Sequence, residues 1–349
     1  MGSPYTVNGL FLSQPVAGVQ RYARELLSET DRLLVDPQEV DLEVAVPDGS
    51  DTPDYKNIRV VRVGGKRGIP WEQNDFARYL TKSGRQGINL CNTLPLRAPS
   101  GIVAIHDISY KVNPQFFQGP RNTVSRMWHC RNYSVSFDGS DRIITVSRFS
   151  RDEIVRVYGV DPRRISVIPN AWQHMERIEP DDSVVRSLGL RDKGFYFTVS
   201  SLAPNKNIGW IINSARLTPE VTFVIAGGST LEESFFDVPS NVRFVGRVTD
   251  GQMKALMSSC AAFLFPTLYE GFGIPPLEAM ACGAKAVVSD TPCMHEVFGD
   301  GAVYIDPTEP QALPPESLGP LDGERVLARY SWTESAKLFL QLVQNADEG

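Results

Sequence analysis

Short apolar runs alternate with amphipathic stretches along the whole chain. In the first half, strands are expected at Tyr5–Asn8, Leu42–Val46, Arg59–Val63, Ile88–Cys91, Ile102–Ile105, Arg142–Val146 and Ile165–Ile168. Apolar residues recur at helical spacing in Val19–Glu29, Trp71–Lys82, Arg121–Phe137 and Arg151–Tyr158. The rhythm restarts after residue 190. Strands are expected at Phe195–Val199, Val221–Ala226, Val242–Val245, Ala261–Phe265, Ala286–Ser289 and Val303–Ile305, and helices at Asn207–Arg216, Asp250–Ser258, Pro275–Ala281 and Ser331–Gln344. Such alternation predicts parallel sheets, because each crossover helix covers a sheet face. Two blocks of it predict two doubly wound α/β domains, joined by the proline- and aspartate-bearing segment Asn170–Leu188.

Composition narrows the function. A chain of 349 residues, 42% hydrophobic, is ordinary for a globular protein of about two domains. Its net charge of −6 argues against a general nucleic-acid binder, so no nucleic acid is expected as a partner. The five cysteines form no C-x-x-C pair and read as reduced thiols. No apolar run reaches the length of a membrane helix, and the N-terminus lacks the pattern of a secretion signal. A cytoplasmic location is therefore expected.

The chain has no G-x-x-x-x-G-K-[ST], no G-x-G-x-x-G and no G-x-S-x-G, which weakens NTPase, dehydrogenase and hydrolase readings. The stretch Pro266–Cys282, P-T-L-Y-E-G-F-G-I-P-P-L-E-A-M-A-C, is the informative one. It follows an apolar strand, so Glu270 and Gly271 sit at a strand's carboxyl end, where open α/β sheets bind ligands. Gly271 and Gly273 permit close backbone approach. A proline then opens a helix whose N-terminus favours an anion. Glu278 follows in that helix, so two carboxylates flank one glycine-rich turn. Carboxylates accept strongly from vicinal hydroxyls, so the string suits a phosphate joined to something polyhydroxylated.

Glu270-x7-Glu278 with its intervening G-F-G-x-P-x-L resembles the signature of glycosyltransferase family 4, retaining enzymes of GT-B fold. Further segments fit in order: Val7–Leu12 leading to Gly18–Tyr22, Ile105–Asp107, Thr145–Ser147, Val167–Asn170, Leu202–Asn207, Ala226–Gly228 and Phe244–Val248. The resemblance implies two Rossmann-like domains facing an interdomain cleft. Residues 1–170 would bind acceptor, residues 171–330 would bind a nucleotide-sugar donor, and the helix in 331–349 would cross back to the N-terminal domain.

It also implies roles. Lys206, Glu270 and His106 would be catalytic, with Lys206 neutralising the leaving diphosphate. Glu278 would accept from the ribose diol. Gly271, Phe272, Gly273, Ile274, Gly18, Ser201, Asn205, Gly246, Arg247 and Val248 would complete the donor site. Asp107, Arg21 and Arg148 would stand on the acceptor side. The chain departs from the family where arginines precede the lysine: Ser200 or Ser201, and Asn205, stand there. The diphosphate would then rely on Lys206 with backbone dipoles, or recruit Arg247 or an N-domain arginine such as Arg21 or Arg148.

No cofactor and no metal are expected, since there is no D-x-D triad. The expected reaction transfers a hexose with retention to a hydroxyl of a saccharide or lipid-linked saccharide. An epimerase or hydrolase on the same fold, or a non-catalytic sugar-nucleotide scaffold, is the alternative. The string V-N-G-x-F-L-x-Q-P-x-x-G-V-Q-R-Y resembles bacterial enzymes of surface polysaccharide or O-antigen synthesis, whose donors include GDP-mannose, dTDP-rhamnose and UDP-hexoses. GDP-mannose is favoured here. Peripheral contact with the inner membrane face would involve Trp71, Arg67, Lys66, Phe116, Phe117, Arg121, Arg126 and Trp128. His129, His174 and His295 are read as structural.

Overall fold

A computed structural model describes residues 4–35, 40–140, 142–201, 203–227 and 237–345. Leu202 and Gly228, quoted above in two motifs, lie outside the described residues. The chain divides into two compact units, 1–170 with 331–349, and 171–330.

Among its described residues, the first unit holds a seven-stranded parallel sheet. Its strands are β1 (Tyr5–Asn8), β2 (Leu42–Val46), β3 (Arg59–Arg62), β4 (Gln86–Asn89), β5 (Ser100–Ala104), β6 (Arg142–Thr145) and β7 (Ile165–Val167). Their order is β3-β2-β1-β4-β5-β6-β7. β1, β2 and β5 are buried along their whole length, and the polar positions inside them are paired: Thr6 Oγ1 donates to Glu43 Oε1 at 2.9 Å. Helix Gly18–Leu33 covers the sheet with Tyr22, Ala23, Leu26 and Leu27. Helix Trp332–Gln344 packs on it, Trp332 meeting the Tyr22 ring at 6.0 Å. Ser335 Oγ donates to the Pro169 carbonyl at 2.8 Å.

The stretch 68–83 departs from a plain helix. It runs as a helical turn at Gly68–Pro70, a π-helical turn at Trp71–Phe76 and an α-helix at Ala77–Ser83. The wider turn lets consecutive Trp71 and Glu72 both point inward, and both are buried. Trp71 stacks on Phe76 at 5.3 Å and donates through Nε1 to the Val63 carbonyl. The expectation that Trp71 faces a membrane is thereby corrected: it is a core residue.

The second unit holds β8 (Phe195–Val199), β9 (Thr222–Ala226), β10 (Val242–Gly246), β11 (Ala262–Phe265), β12 (Lys285–Ser289) and β13 (Ala302–Ile305) among the described residues. All pairs are parallel, in the order β10-β9-β8-β11-β12-β13. Tyr196, Trp210, Phe223, Leu264 and Val287 form part of one core cluster. Each sheet starts at its centre and is wound outward in both directions. The winding reverses between β1 and β4 in the first unit and between β8 and β11 in the second. At such reversals the crossovers leave to opposite faces, and a crevice opens beyond the carboxyl ends of the strands.

Candidate active site

The crevice of the second unit is bridged by an ion pair. Lys206 follows β8 and Glu270 follows β11, and Lys206 Nζ donates to Glu270 Oε1 at 2.5 Å. The ammonium also lies 5.5 Å from the centre of the Phe265 ring. Backbone fixes the two loops to each other, since Leu268 N–H donates to the Asn205 carbonyl at 2.8 Å. Asn207 takes a left-handed conformation (φ +57°), which asparagine tolerates better than most side chains. Its Nδ2 donates to Pro266 O and Pro307 O, at 3.0 and 2.7 Å. The lysine is thus aimed by a strand end, a tight turn and a half-buried carboxamide.

Gly273 caps the helix Ile274–Ala281 with φ +96°. A Cβ there would press on Met294 Cε at 3.1 Å, so glycine is needed for conformation and for space. Helix N-termini offer four free N–H groups, but Pro275 and Pro276 occupy two of those places here. Gly273 and Ile274 remain as donors. The Phe272 ring is buried edge-on against Tyr330 at 5.1 Å, so only its backbone is available to a ligand.

Glu278 stands one turn further along the same helix. Its Oε1 accepts from His174 Nε2 at 2.7 Å. An ionised carboxylate only accepts, so the proton of that bond sits on Nε2. The His174 side chain is 1% exposed. Lys254 Nζ anchors its short turn by donating to Met175 O and Ile178 O at 2.8 and 2.7 Å. Sequence reasoning read His174 as structural because it stands alone, 104 residues from its partner. No spacing rule joins two such positions.

The ends of β8, β9 and β10 form a shelf beside this group. Gly227 N–H donates to the Gly246 carbonyl at 2.7 Å, and Ser200 N–H to Ala226 O at 2.9 Å. Ser200 is buried and Ser201 exposed, with Ser200 Oγ donating to Ser201 O. Arg247 is exposed and Val248 half-buried.

The remaining expected residues lie in the first unit. His106 follows β5 and is buried, 6% exposed. Its Nε2 donates to the Leu90 carbonyl at 2.9 Å, and Tyr22 packs edge-on at 4.7 Å. Burial holds its pKa below the ordinary histidine value, so the neutral ring, protonated on Nε2, is favoured. Asp107 accepts from Ser109 N–H at 2.8 Å. Gly18 opens helix Gly18–Leu33, Arg21 lies in its first turn, and Arg148 is exposed at the start of helix Arg148–Tyr158.

Residues 16–172 match the family described as Glycosyltransferase Family 4, and residues 183–315 match Glycosyl transferases group 1. The chain is a GT-B glycosyltransferase of these families. It is 28% identical over 294 residues to O-antigen chain mannosyltransferase B of Escherichia coli, covering 80% of this chain and 73% of that protein. It is 28% identical over 243 residues to O-antigen chain mannosyltransferase RfbU of Salmonella typhimurium, covering 66% and 64%. Sucrose-phosphate synthase from Thermosynechococcus elongatus superposes with a TM-score of 0.65 at 16% identity, over 99% of this chain and 95% of that one. Two Rossmann-like domains are the shared architecture of this GT-B fold. Among the described residues no helix is long and apolar enough to cross a membrane.

Proposed function

We propose that this glycosyltransferase moves a mannosyl residue from GDP-mannose to a hydroxyl of a saccharide or lipid-linked saccharide, with retention at the anomeric carbon and without a metal. The observation that carries the reading is the Lys206–Glu270 pair at the β8/β11 reversal, with Glu278 one helical turn beyond the Gly273 cap. The mannosyltransferase names of the relatives support the sugar.

Lys206 sits where a leaving diphosphate would gain charge. A fixed cation there stabilises the transition state more than the ground state. The ammonium has three protons and gives one to Glu270, which leaves two for phosphate oxygens. The helix N-terminus adds two N–H donors rather than four, so this lysine carries more of the phosphate charge. Glu270 then faces the sugar hydroxyls and Glu278 the ribose. As the bond from the anomeric carbon to the phosphate oxygen breaks, the acceptor oxygen bonds to that carbon from the same face. The acceptor proton passes to the departing phosphate oxygen. The protein positions the reactants and stabilises charge. We place the reaction in the cytoplasm, with a lipid-linked acceptor presented at the inner membrane face.

The test is incubation of the full chain with GDP-mannose, dTDP-rhamnose or UDP-glucose and a mannoside acceptor, with and without EDTA, read by NMR of the product's anomeric proton. An α-mannoside formed from GDP-mannose and indifferent to EDTA is the expected result. A β-linked product, transfer from another donor only, or loss of activity in EDTA overturns the corresponding part. Nucleotide release without any acceptor product would favour a hydrolase.

A further inference from the structure

His174 reaches Glu278 from a turn that cannot hold itself. It lies in a 3-10 helix, Gln173–Arg177, too short to be stable alone. The position of that turn is set from outside, at both ends. At its start, Trp172 Nε1 donates to the Leu327 carbonyl at 3.0 Å and Gln173 Nε2 to the Tyr330 carbonyl at 2.9 Å. At its end, the half-buried Lys254 donates through Nζ to Met175 O at 2.8 Å and Ile178 O at 2.7 Å. A charged donor on the last carbonyls of a helical turn fastens it more firmly than a neutral one.

The helix that carries Lys254, Asp250–Ser259, is itself fixed to both partners of the His174–Glu278 bond. On one side it is docked along the segment that continues from the histidine. Asp181 N–H donates to the Gly251 carbonyl at 2.9 Å, and Gln252 Nε2 donates to Ser183 Oγ at 3.4 Å. On the other side its carboxyl end is fastened to that of helix Ile274–Ala281, which bears Glu278. Lys193 Nζ donates there to Ser258 O at 2.7 Å, Cys260 O at 3.1 Å and Gly283 O at 3.3 Å. Lys193 holds its place with φ +53°, an uncommon conformation for a residue other than glycine. Helix Asp250–Ser259 is thus a frame that spaces the histidine from the carboxylate.

That spacing has little tolerance. A hydrogen bond of this length reaches the limit of ordinary geometry after a shift of roughly 0.5 Å. His174 holds Glu278 through one oxygen. A carboxylate released from that hold rotates, and the 2′-hydroxyl of a diol loses its fixed acceptor. We propose that Lys254 is a positioning residue for the donor's ribose. By holding the carbonyls of Met175 and Ile178 it keeps His174 on Glu278, and so sets the preference for a ribose over a deoxyribose. It acts through the histidine rather than on the nucleotide. The proposal rests on the reading in which Glu278 takes the ribose. A lysine that merely fastened the fold would leave that preference alone.

The experiment compares Lys254→Met, Lys254→Arg and Asn241→Ala in the full chain. Asn241 is a matched clamp in the same unit, just before β10. Its Nδ2 donates to Ala215 O, Thr218 O and Val221 O at 3.0, 3.1 and 2.8 Å. In the ligand-free protein with isotope-labelled histidine, the Nε2 proton of His174 should resonate downfield and exchange slowly, and His174→Gln identifies it by its loss. Lys254→Met should hasten that exchange, Lys254→Arg should do so less, and Asn241→Ala should leave it alone. Calorimetric titration with GDP and 2′-deoxy-GDP then reads the preference itself. Lys254→Met should reduce the ribo/deoxyribo ratio about threefold or more, the worth of one weakened hydrogen bond. Lys254→Arg, which still donates to carbonyls from a differently shaped group, should restore part of it. Asn241→Ala should lower the unfolding midpoint and keep the ratio. In the double variant Lys254→Met/His174→Ala the ratio should match that of His174→Ala alone, as it must if the lysine works through the histidine. An unchanged histidine signal in Lys254→Met overturns the hold on His174. An unchanged ratio, an equal fall in Asn241→Ala, or multiplied losses in the double variant overturns the positioning role. Failure of the unaltered chain to bind GDP overturns the donor reading and the ribose preference with it, while the histidine signal still decides the hold on His174.

Discussion

His174 Nε2 and Glu278 Oε1 are 2.7 Å apart, and the histidine that holds the carboxylate is almost wholly buried. Among the described residues Glu278 Oε2 accepts no hydrogen bond from the protein. The histidine therefore fixes the carboxylate through one oxygen and leaves the other without a protein donor, the oxygen that would take the ribose under the proposed function. Replacing His174 by Ala should weaken GDP binding about tenfold, or about 1.4 kcal/mol. It should also reduce the preference for GDP over 2′-deoxy-GDP. His174→Gln, which retains an N–H donor, should restore part of both. Titration of the two nucleotides into the three proteins checks this, and an unaltered ribo/deoxyribo ratio would rule out the orienting role.

Lys206→Ala should lower kcat/KM by about 100-fold or more, with a smaller effect on GDP affinity, if the ammonium acts chiefly on the charge that develops as the phosphate leaves. Lys206→Arg keeps the charge but not the compact ammonium that fits between Glu270 and Phe265, so only partial recovery is expected. Steady-state kinetics with donor varied at fixed acceptor separates the two parameters. Equal losses in nucleotide affinity and kcat/KM, with kcat intact, would reassign the lysine to ground-state binding.

Stability should fall as the pH drops from 8 to 5.5. Burial lowers the folded-state pKa of both His106 and His129 below the ordinary value of 6.5. Around and below that value the unfolded chain takes up protons that the folded chain refuses. Their contribution is present in full above the unfolded pKa and is lost as the pH falls toward the folded pKa. Each histidine can contribute a slope of up to about 1.4 kcal/mol per pH unit. Thermal melts across that range should show the decline, and His129→Phe should make it shallower. A flat profile would contradict the assignment of both rings as neutral.

Gly227→Ala should be strongly destabilising and should impair nucleotide binding with it. The residue has φ +95°, and an added Cβ would lie 2.2 Å from the Ser200 carbonyl oxygen. Conformational strain alone costs about 1–3 kcal/mol, and the contact with backbone cannot be relieved by a side-chain rotation. Gly246→Ala, also at positive φ but with open space around the Cβ, should cost less. Paired denaturation curves decide the matter. Equal losses would mean that strain, and not the close approach of β8 to β9, governs this shelf.

The local code accounts for much of what is seen. A buried parallel strand is marked by a short run rich in apolar and β-branched residues and a crossover helix by one apolar stripe, so both are written within a few consecutive residues. Strand expectations such as Tyr5–Asn8, Leu42–Val46 and Phe195–Val199 coincide with β1, β2 and β8. Elsewhere the limits shift: β4 runs Gln86–Asn89 rather than Ile88–Cys91, because pairing with β1 begins at Gln86. Glu270 and Glu278 were also legible, since a strand end, a glycine turn and a helix start fall in one stretch. Trp71 was misread because a π-helical turn changes which side chains face inward, and no simple periodicity announces one.

By itself, then, the sequence determined which segments become strands and helices and which loop carries the paired carboxylates, because those depend on neighbours a few positions apart. Only the tertiary structure decided that Lys206 meets Glu270 across 64 positions, that His174 holds Glu278, and that Glu72 lies in the wall of a cavity. The Lys206–Glu270 relation comes from the winding of the second unit's sheet, which brings the ends of β8 and β11 to that unit's crevice, and the register of that winding is set by packing over the whole unit rather than by any local pattern.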